Sequence, residues 1–326
     1  MTAQRVLIIG GNGIISWWVS RLAVELGYDV TQVTRGLTSD RAPIDGVTTL
    51  RGDADDPASI RAAIGDTDFD VVANFRAFKP EQVQADIELF AGRTRQYLFV
   101  SSASAYQTPI AMLPIVESTP LHNPFWEYSR DKIACEDVLV DAYRQSGFPM
   151  TIVRPSHTYD GGNMPLPGGW TAFQRMLDGK PIVVHGDGTS WWSLTHSRDF
   201  ARAFVGLFGN SHALGSAVHI TSDEHLTWDD IARQLGTAIG VEPVLAHVAS
   251  ERIARELPDL GSWLLGDSSH SVIFDNTRIK TLVPGWTATT PFSTGARDIV
   301  DWYLSKPSRQ VVDPTIDAAW DTLAAL

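Results

Sequence analysis

The chain is predicted to fold as an α/β protein, a doubly wound parallel sheet with a smaller C-terminal lobe, and three observations predict it. The apolar run 5–9 passes directly into Gly10, Gly11 and Gly13 and then into a helical pattern. Strand-like and helix-like stretches alternate through the first half, as they do when helices cover both faces of a parallel sheet. After Arg154 the texture changes to "PSHTYDGGNMPLPGGW", rich in Pro and Gly, with shorter elements beyond. The expected division is a first domain over 1–155 and a lobe with a tail over 156–326. The segment "SAVHITS", near 217–221, reads as a strand that rejoins the first sheet.

The elements follow in order. The first helix carries apolar Ile14, Val19, Leu22, Ala23 and Leu26 and is closed by Gly27. Further strands are expected at 30–34, 47–51, 69–73, 97–101 and 151–154, with a helix beginning at Pro57 behind Asp55 and Asp56, which serve as its N-cap region. A helix is expected over 80–91, and the tail beyond Lys306 carries one more helical stretch after Pro314.

Glycines where a strand becomes a helix have a physical use. The turn aims the unpaired N–H groups of the helix N-terminus at one point, where a phosphate is stabilised, and glycine lets the backbone approach closely. The spacing Gly10-x-x-Gly13-x-x-Ser16 is a dinucleotide fingerprint with its third glycine replaced. The second strand ends in Thr34-Arg35-Gly36, with no acid for a ribose 2′-hydroxyl, so Arg35 is expected to meet a 2′-phosphate. The cofactor expected is NADP or NAD, with NADP favoured. "LRGDADDP" places Asp53 beside the adenine.

Composition bounds the remaining classes. With 44% apolar and 20% charged residues, the chain reads as an ordinary soluble globule. No apolar run reaches membrane-spanning length and no signal peptide is read, so no membrane partner and a cytoplasmic location are expected. A single cysteine, Cys135, allows no internal disulfide. The net charge of −12 weighs against sequence-independent nucleic-acid binding. The histidines show no metal-ligand spacing, so no metal is expected.

The chemistry is read in the middle of the chain. "YLFVSSASAYQ" runs a strand into small hydroxylated residues, where open α/β sheets place ligands. In "PFWEYSRDKIACEDVLVDAY", Tyr128 and Lys132 stand i, i+4 and share one helix face. A lysine cation near a phenol favours the phenolate, which is expected to lower the Tyr128 pKa. Ser102 is then placed to hold the substrate oxygen that gives or takes the proton.

With "GGNGIIS", "GDADD", "VVANF", "VSSASAY", "YSRDK", "VRPSHTY" and "HSRDFA" in place, the chain resembles the extended short-chain dehydrogenases/reductases of the NAD-dependent epimerase/dehydratase group, over about residues 5–304. The resemblance implies a Rossmann domain, a bound nicotinamide cofactor, and catalysis by Ser102, Tyr128 and Lys132. Tyr128 would be the acid/base, and Lys132 would touch the nicotinamide ribose. The cofactor bed is expected from Gly10, Gly13, Ile14, Ile15, Arg35, Asp53, Ala54, Asn74, Phe75, Lys79, Tyr128, Lys132 and Pro155. Lys79 matches a lysine that approaches the cofactor phosphates in sugar epimerases.

Departures from the family pattern point to the substrate. Ala103 and Ser104 stand where dehydratases carry acids. His157, Trp192 and Leu264 stand where nucleotide-sugar enzymes place an asparagine and two arginines. A neutral, compact, ring-shaped ligand is therefore expected, against Ser104, Trp126, His157 and Trp192, with Trp170 and Trp191 also near the pocket. His196 is expected to fix a helix start. The function expected is hydride transfer at a hydroxyl or carbonyl carbon of a sugar or sugar-like small molecule. The alternatives are an epimerase with tightly bound NAD and an RNA-binding protein, the latter because "VTRG" and "FKPEQVQADIELF" resemble chloroplast stem-loop RNA-binding relatives. These readings leave room for a homodimer.

Overall fold

The computed structural model describes residues 3–36 and 41–325. Its strands β1 (Arg5–Ile9), β2 (Asp29–Thr34), β3 (Val47–Arg51), β4 (Phe69–Asn74), β5 (Thr94–Val100) and β6 (Met150–Pro155) join the later strand Ser216–Ile220 in one sheet. Across that seven-stranded sheet the order is Ser216–Ile220, β6, β5, β4, β1, β2, β3. Every neighbouring pair is parallel. This is the doubly wound α/β fold, with its strand order reversing between β1 and β4, where such sheets open a crevice for ligands.

Alternation along β1 explains the two layers of helices. Val6 and Ile8 face a core shared with Val19 of helix α1 (Ile14–Glu25) and with Phe200 and Phe204 of the helix Ser197–Gly206. Leu7 and Ile9 face the opposite core, built with α2 (Pro57–Ile64), α3 (Pro80–Phe90) and α4 (Glu127–Ser146) through Ile60, Val83 and Leu139. Both cores are apolar, as the near-continuous apolar strands of a buried parallel sheet require.

Element positions agree with the sequence reading to within a few residues, and the largest difference is informative. β5 begins at Thr94 rather than near 97 because Gln96 is buried yet satisfied. Its amide donates to Thr151 Oγ1 at 3.2 Å and accepts from Gly209 N at 2.8 Å. A polar strand start of this kind carries no hydrophobic signal.

A third core gathers Trp170, Phe173, Trp192, Trp228 and Trp320 from the later part of the chain. Short strand pairs frame it: Ile182–His185 with Leu245–Val248, Trp191–Trp192 with Leu226–Thr227, and His157–Tyr159 with Leu194–His196. The chain crosses between the cores more than once. Beyond the returning strand, Ile279 and Trp286 also pack in the core that holds Val6 and Ile8.

One buried ion pair ties α4 to the sheet. Arg154 Nη2 lies 2.5 Å from Glu136 Oε2, with both side chains almost fully enclosed. Ser101 Oγ donates to Glu136 Oε1 at 2.5 Å, and Arg154 Nη1 donates to the Glu117 carbonyl at 3.2 Å. Removing one partner of a buried pair leaves an uncompensated charge. Glu136→Gln is expected to lower unfolding stability by about 3–5 kcal/mol in urea denaturation, and a loss below about 1 kcal/mol would show that Arg154 finds other partners.

Candidate functional site

The first cavity, about 500 Å³, lies over the glycine turn at the carboxyl ends of β1 and β2. Gly10 has φ of +90°, and a side chain there would collide with Arg76. Gly13 is the N-cap of α1, which has no side-chain cap and no acid in its first turn. Its first N–H groups thus remain open to an anion. Ser16 explains the replaced third glycine. Its hydroxyl donates to the Gly10 carbonyl at 2.6 Å and accepts from Gly13 N at 2.9 Å, bracing the turn from inside.

Of the residues expected around a cofactor, Gly10, Gly13, Ile14, Ile15, Arg35, Asp53, Ala54 and Phe75 line this cavity. Thr34, Gly52, Arg76 and Thr158 line it as well and were not anticipated. An uncapped helix start, a close-approach glycine turn and two arginines on the wall fit a dinucleotide, whose phosphates need donors and positive charge.

Tyr128 and Pro155 line a second cavity instead, and Asn74, Lys79 and Lys132 line neither. Asn74 is buried in a structural knot. It donates to Asp86 Oδ2 at 2.5 Å and accepts from the backbone N–H groups of Arg76 and Ala77. Lys79 turns away from the cavity to pair with Asp131 Oδ2 at 2.6 Å and Glu127 Oε1 at 3.4 Å.

The paired tryptophans of α1 tether flanking segments. Trp17 Nε1 donates to the Ala42 carbonyl at 2.9 Å. Trp18, the inner of the two, donates to Asp160 Oδ2 at 3.0 Å, and Asp160 also binds Arg41 at 2.7 Å. This links the segment after β2 to the loop following His157–Tyr159.

A second cavity of about 270 Å³ adjoins the first, and Thr158 lines both. Its wall brings together Ser102, Ser104, Trp126, Tyr128, Pro155 and His157, gathered from the end of β5, the start of α4 and the exit of β6. Ser102 Oγ lies 2.9 Å from Ser104 Oγ, which accepts from Ser129 Oγ at 2.8 Å. Asn123 donates to the carbonyls of both Ser104 and Gly266, at 2.9 and 2.7 Å. Asn163, Trp263, Asp267 and Phe274 complete the wall. They come from the loop after His157–Tyr159 and from segments late in the chain, and the sequence reading assigned none of them to the site.

The acid–base electrostatics differ from the sequence expectation. Burial pushes the Tyr128 phenol up to about 12; the neighbouring Ser102 hydroxyl opposes this and the Asp267 charge adds to it. Lys132 does not pull the phenol down. Its ammonium donates to the carbonyls of Ala77 at 2.7 Å and Val100 at 2.8 Å, and lies 5.8 Å from the Tyr128 ring centroid. Burial lowers Lys132 itself to about 8. Burial also holds His157 neutral, at about 4, and its Nε2 has no partner among the described residues.

The aromatic residues expected at the pocket divide. Trp126 lines it and packs on Tyr128 with ring centroids 4.8 Å apart. Trp192 does not reach it: it is buried against Trp228, at 5.3 Å. Trp170 and Leu264 belong to the same core, and Trp191 is exposed beside His225. His196 caps the helix Ser197–Gly206, its Nδ1 accepting from Arg198 N at 3.1 Å, as expected.

Comparison with known proteins gives a consistent family. The chain is 28% identical over 257 residues to the chloroplast stem-loop binding protein of 41 kDa b of Arabidopsis thaliana, covering 75% of this chain and 66% of that one. It is 26% identical over 287 residues to 2'-dehydrokanamycin reductase of Streptomyces kanamyceticus, covering 86% and 80% respectively. The fold resembles that of UDP-glucose 4-epimerase from Bifidobacterium longum, solved in complex with NAD+ and UDP. The TM-score there is 0.75 with 19% identity, over 94% of this chain and 100% of that one. An epimerase from Methanothermobacter thermautotrophicus matches with a TM-score of 0.78 at 14% identity, over 94% of both chains. The profile of the NAD dependent epimerase/dehydratase family matches residues 6–220, well over half of the sequence, and the chain belongs to that family.

Proposed function

We propose that this protein is an NAD(P)-dependent oxidoreductase that moves a hydride to or from a hydroxyl or carbonyl carbon of a sugar or sugar-like small molecule. The observation that carries the reading is the shared wall. Ser102 and Tyr128 face a compact cavity that shares Thr158 with the cavity above the glycine turn. The relative named 2'-dehydrokanamycin reductase and one named probable dTDP-glucose 4,6-dehydratase support the same class.

A nicotinamide dinucleotide, when bound, supplies the hydride donor or acceptor. The chain's own residues then manage one proton. With its phenol held near 12, Tyr128 is protonated at neutral pH and stands ready to donate to an oxygen that gains negative charge. That charge state suits reduction of a carbonyl. The Ser102 hydroxyl lies in the same wall to hold that oxygen, and the Ser104–Ser129 chain fixes its orientation. An ammonium has three donors. Lys132 gives two to the carbonyls of Ala77 and Val100 and lines neither cavity, so the expected contact with a ribose hydroxyl would fall to the third.

A second reading, an epimerase holding NAD through its cycle, is supported by the structural neighbours named as epimerases, one of them in an NAD+ complex. Cofactor that survives gel filtration would favour it, and rapid exchange would favour the dehydrogenase. The stem-loop-binding name of one relative supports an RNA role, against which stand the net charge of −12 and the retained Tyr128 and Lys132.

Two predictions follow from this site. Tyr128→Phe should leave dinucleotide binding nearly intact, by fluorescence titration, while reduced-nicotinamide consumption with a panel of keto-sugars falls by at least ~100-fold. Unchanged turnover would remove Tyr128 from the mechanism. Wild type should bind NADP more tightly than NAD by about 1–2 kcal/mol, from one charge-assisted contact of Arg35 with the 2′-phosphate. Arg35→Asp should reverse or abolish that preference. Tighter binding of NAD by wild type would make Arg35 a solvated loop residue.

A further inference from the structure

The cavity that holds Ser102 and Tyr128 carries a single ionisable acid and no lysine or arginine on its wall. That acid is Asp267. Its carboxylate, partly exposed on the cavity wall, has no hydrogen-bond or ion-pair partner in the protein among the described residues. Nor is it loosely placed. Asp267 sits in the π-helical turn Leu264–Ser268, a rare geometry that recurs at functional sites. Asn123 ties the adjoining Gly266 carbonyl to the Ser104 carbonyl, which fixes the acid relative to the reacting hydroxyls. Burial raises the Asp267 carboxyl to about 7, and its charge acts on the Tyr128 phenol, so the two groups share one electrostatic field.

The surroundings favour a cation as the missing partner. Trp126, Trp263 and Phe274 line the same wall, and aromatic faces attract ammonium groups. His157, held neutral, supplies no competing positive charge. A diphosphate would meet a carboxylate here with no cation to offset it. We propose that the substrate is an amine-bearing sugar or cyclic polyol whose ammonium group is bound by Asp267, an inference that rests on the reading of this cavity as the substrate site. This ligand is cationic where the sequence reading expected a neutral one, because that reading weighed Leu264 and not Asp267, three residues on.

The test uses dinucleotide-loaded protein at neutral pH, titrated by calorimetry with D-glucosamine, N-acetyl-D-glucosamine and D-glucose. The acetyl group removes the charge and keeps the ring. Glucosamine should bind at least about tenfold more tightly than either neutral sugar, as a hydrogen bond to a charged group implies. In Asp267→Asn, checked for folding by circular dichroism and for retained dinucleotide binding, the preference should shrink to within about twofold. Equal or weaker binding of the amine, binding of none of the three, or a preference that persists in Asp267→Asn would each overturn the proposal. If the amine preference fails while Tyr128→Phe still suppresses turnover, the ligand class is wrong and the hydride-transfer reading stands. If Tyr128→Phe also leaves turnover unchanged, both fall.

Discussion

The ion pair between Arg154 and Glu136 is the constraint on which the site depends. Glu136 lies one helical turn beyond Lys132 on α4, and Arg154 stands near the end of β6. The pair therefore fixes the helix that carries Tyr128 against the strand ends that carry Ser102 and Pro155. Ser101, the residue before Ser102, completes the same network by donating to Glu136. Arg154 also stacks over the Tyr106 ring at 4.8 Å, which extends the tie into the loop beyond Ser102. A buried charged network is costly to assemble and brittle when broken, but it allows one arrangement only.

A similar economy governs the glycine turn. A glycine at position 16 would leave the Gly10 carbonyl and the Gly13 N–H without an internal partner. Ser16 satisfies both while remaining fully buried. The cavity above the turn keeps its uncapped helix start. Trp18 and Asp160 then join α1 to the loop beyond Thr158, the residue common to both cavities.

Electrostatics in the second cavity come from burial more than from pairing. Tyr128, His157 and Asp267 are each pushed toward their neutral forms, and Lys132 is pulled the same way. Such a wall holds few fixed charges of its own, so the charge of whatever enters decides which groups ionise. Lys132 is the exception in geometry. Its bonds to two carbonyls use the ammonium to join β5 to the turn after β4, 5.8 Å from the centroid of the Tyr128 ring.

The sequence by itself determined the sheet, its helices and the two motif-bearing corners, because period, glycine spacing and the Tyr-x-x-x-Lys interval are local properties of a chain. Gly10, Gly13, Arg35, Asp53 and Phe75 line one cavity, and Ser102, Tyr128 and His157 line the other, each close to where the backbone period places it. Direction of side chains was a different matter. Leu264 stands between the cavity residues Trp263 and Asp267, yet it turns, like Trp192, into the tryptophan-rich core, since large apolar groups follow the burial available to them. Lys79 pairs with two acids on α4 and does not line the glycine turn's cavity. The Lys132 ammonium was taken by carbonyls that only the packing of β4 and β5 brings together. Asp267, some 140 residues beyond Tyr128 in the chain, entered the site through tertiary contact alone. What a residue is was written in the sequence; what it faces depended on which distant elements the fold set beside it.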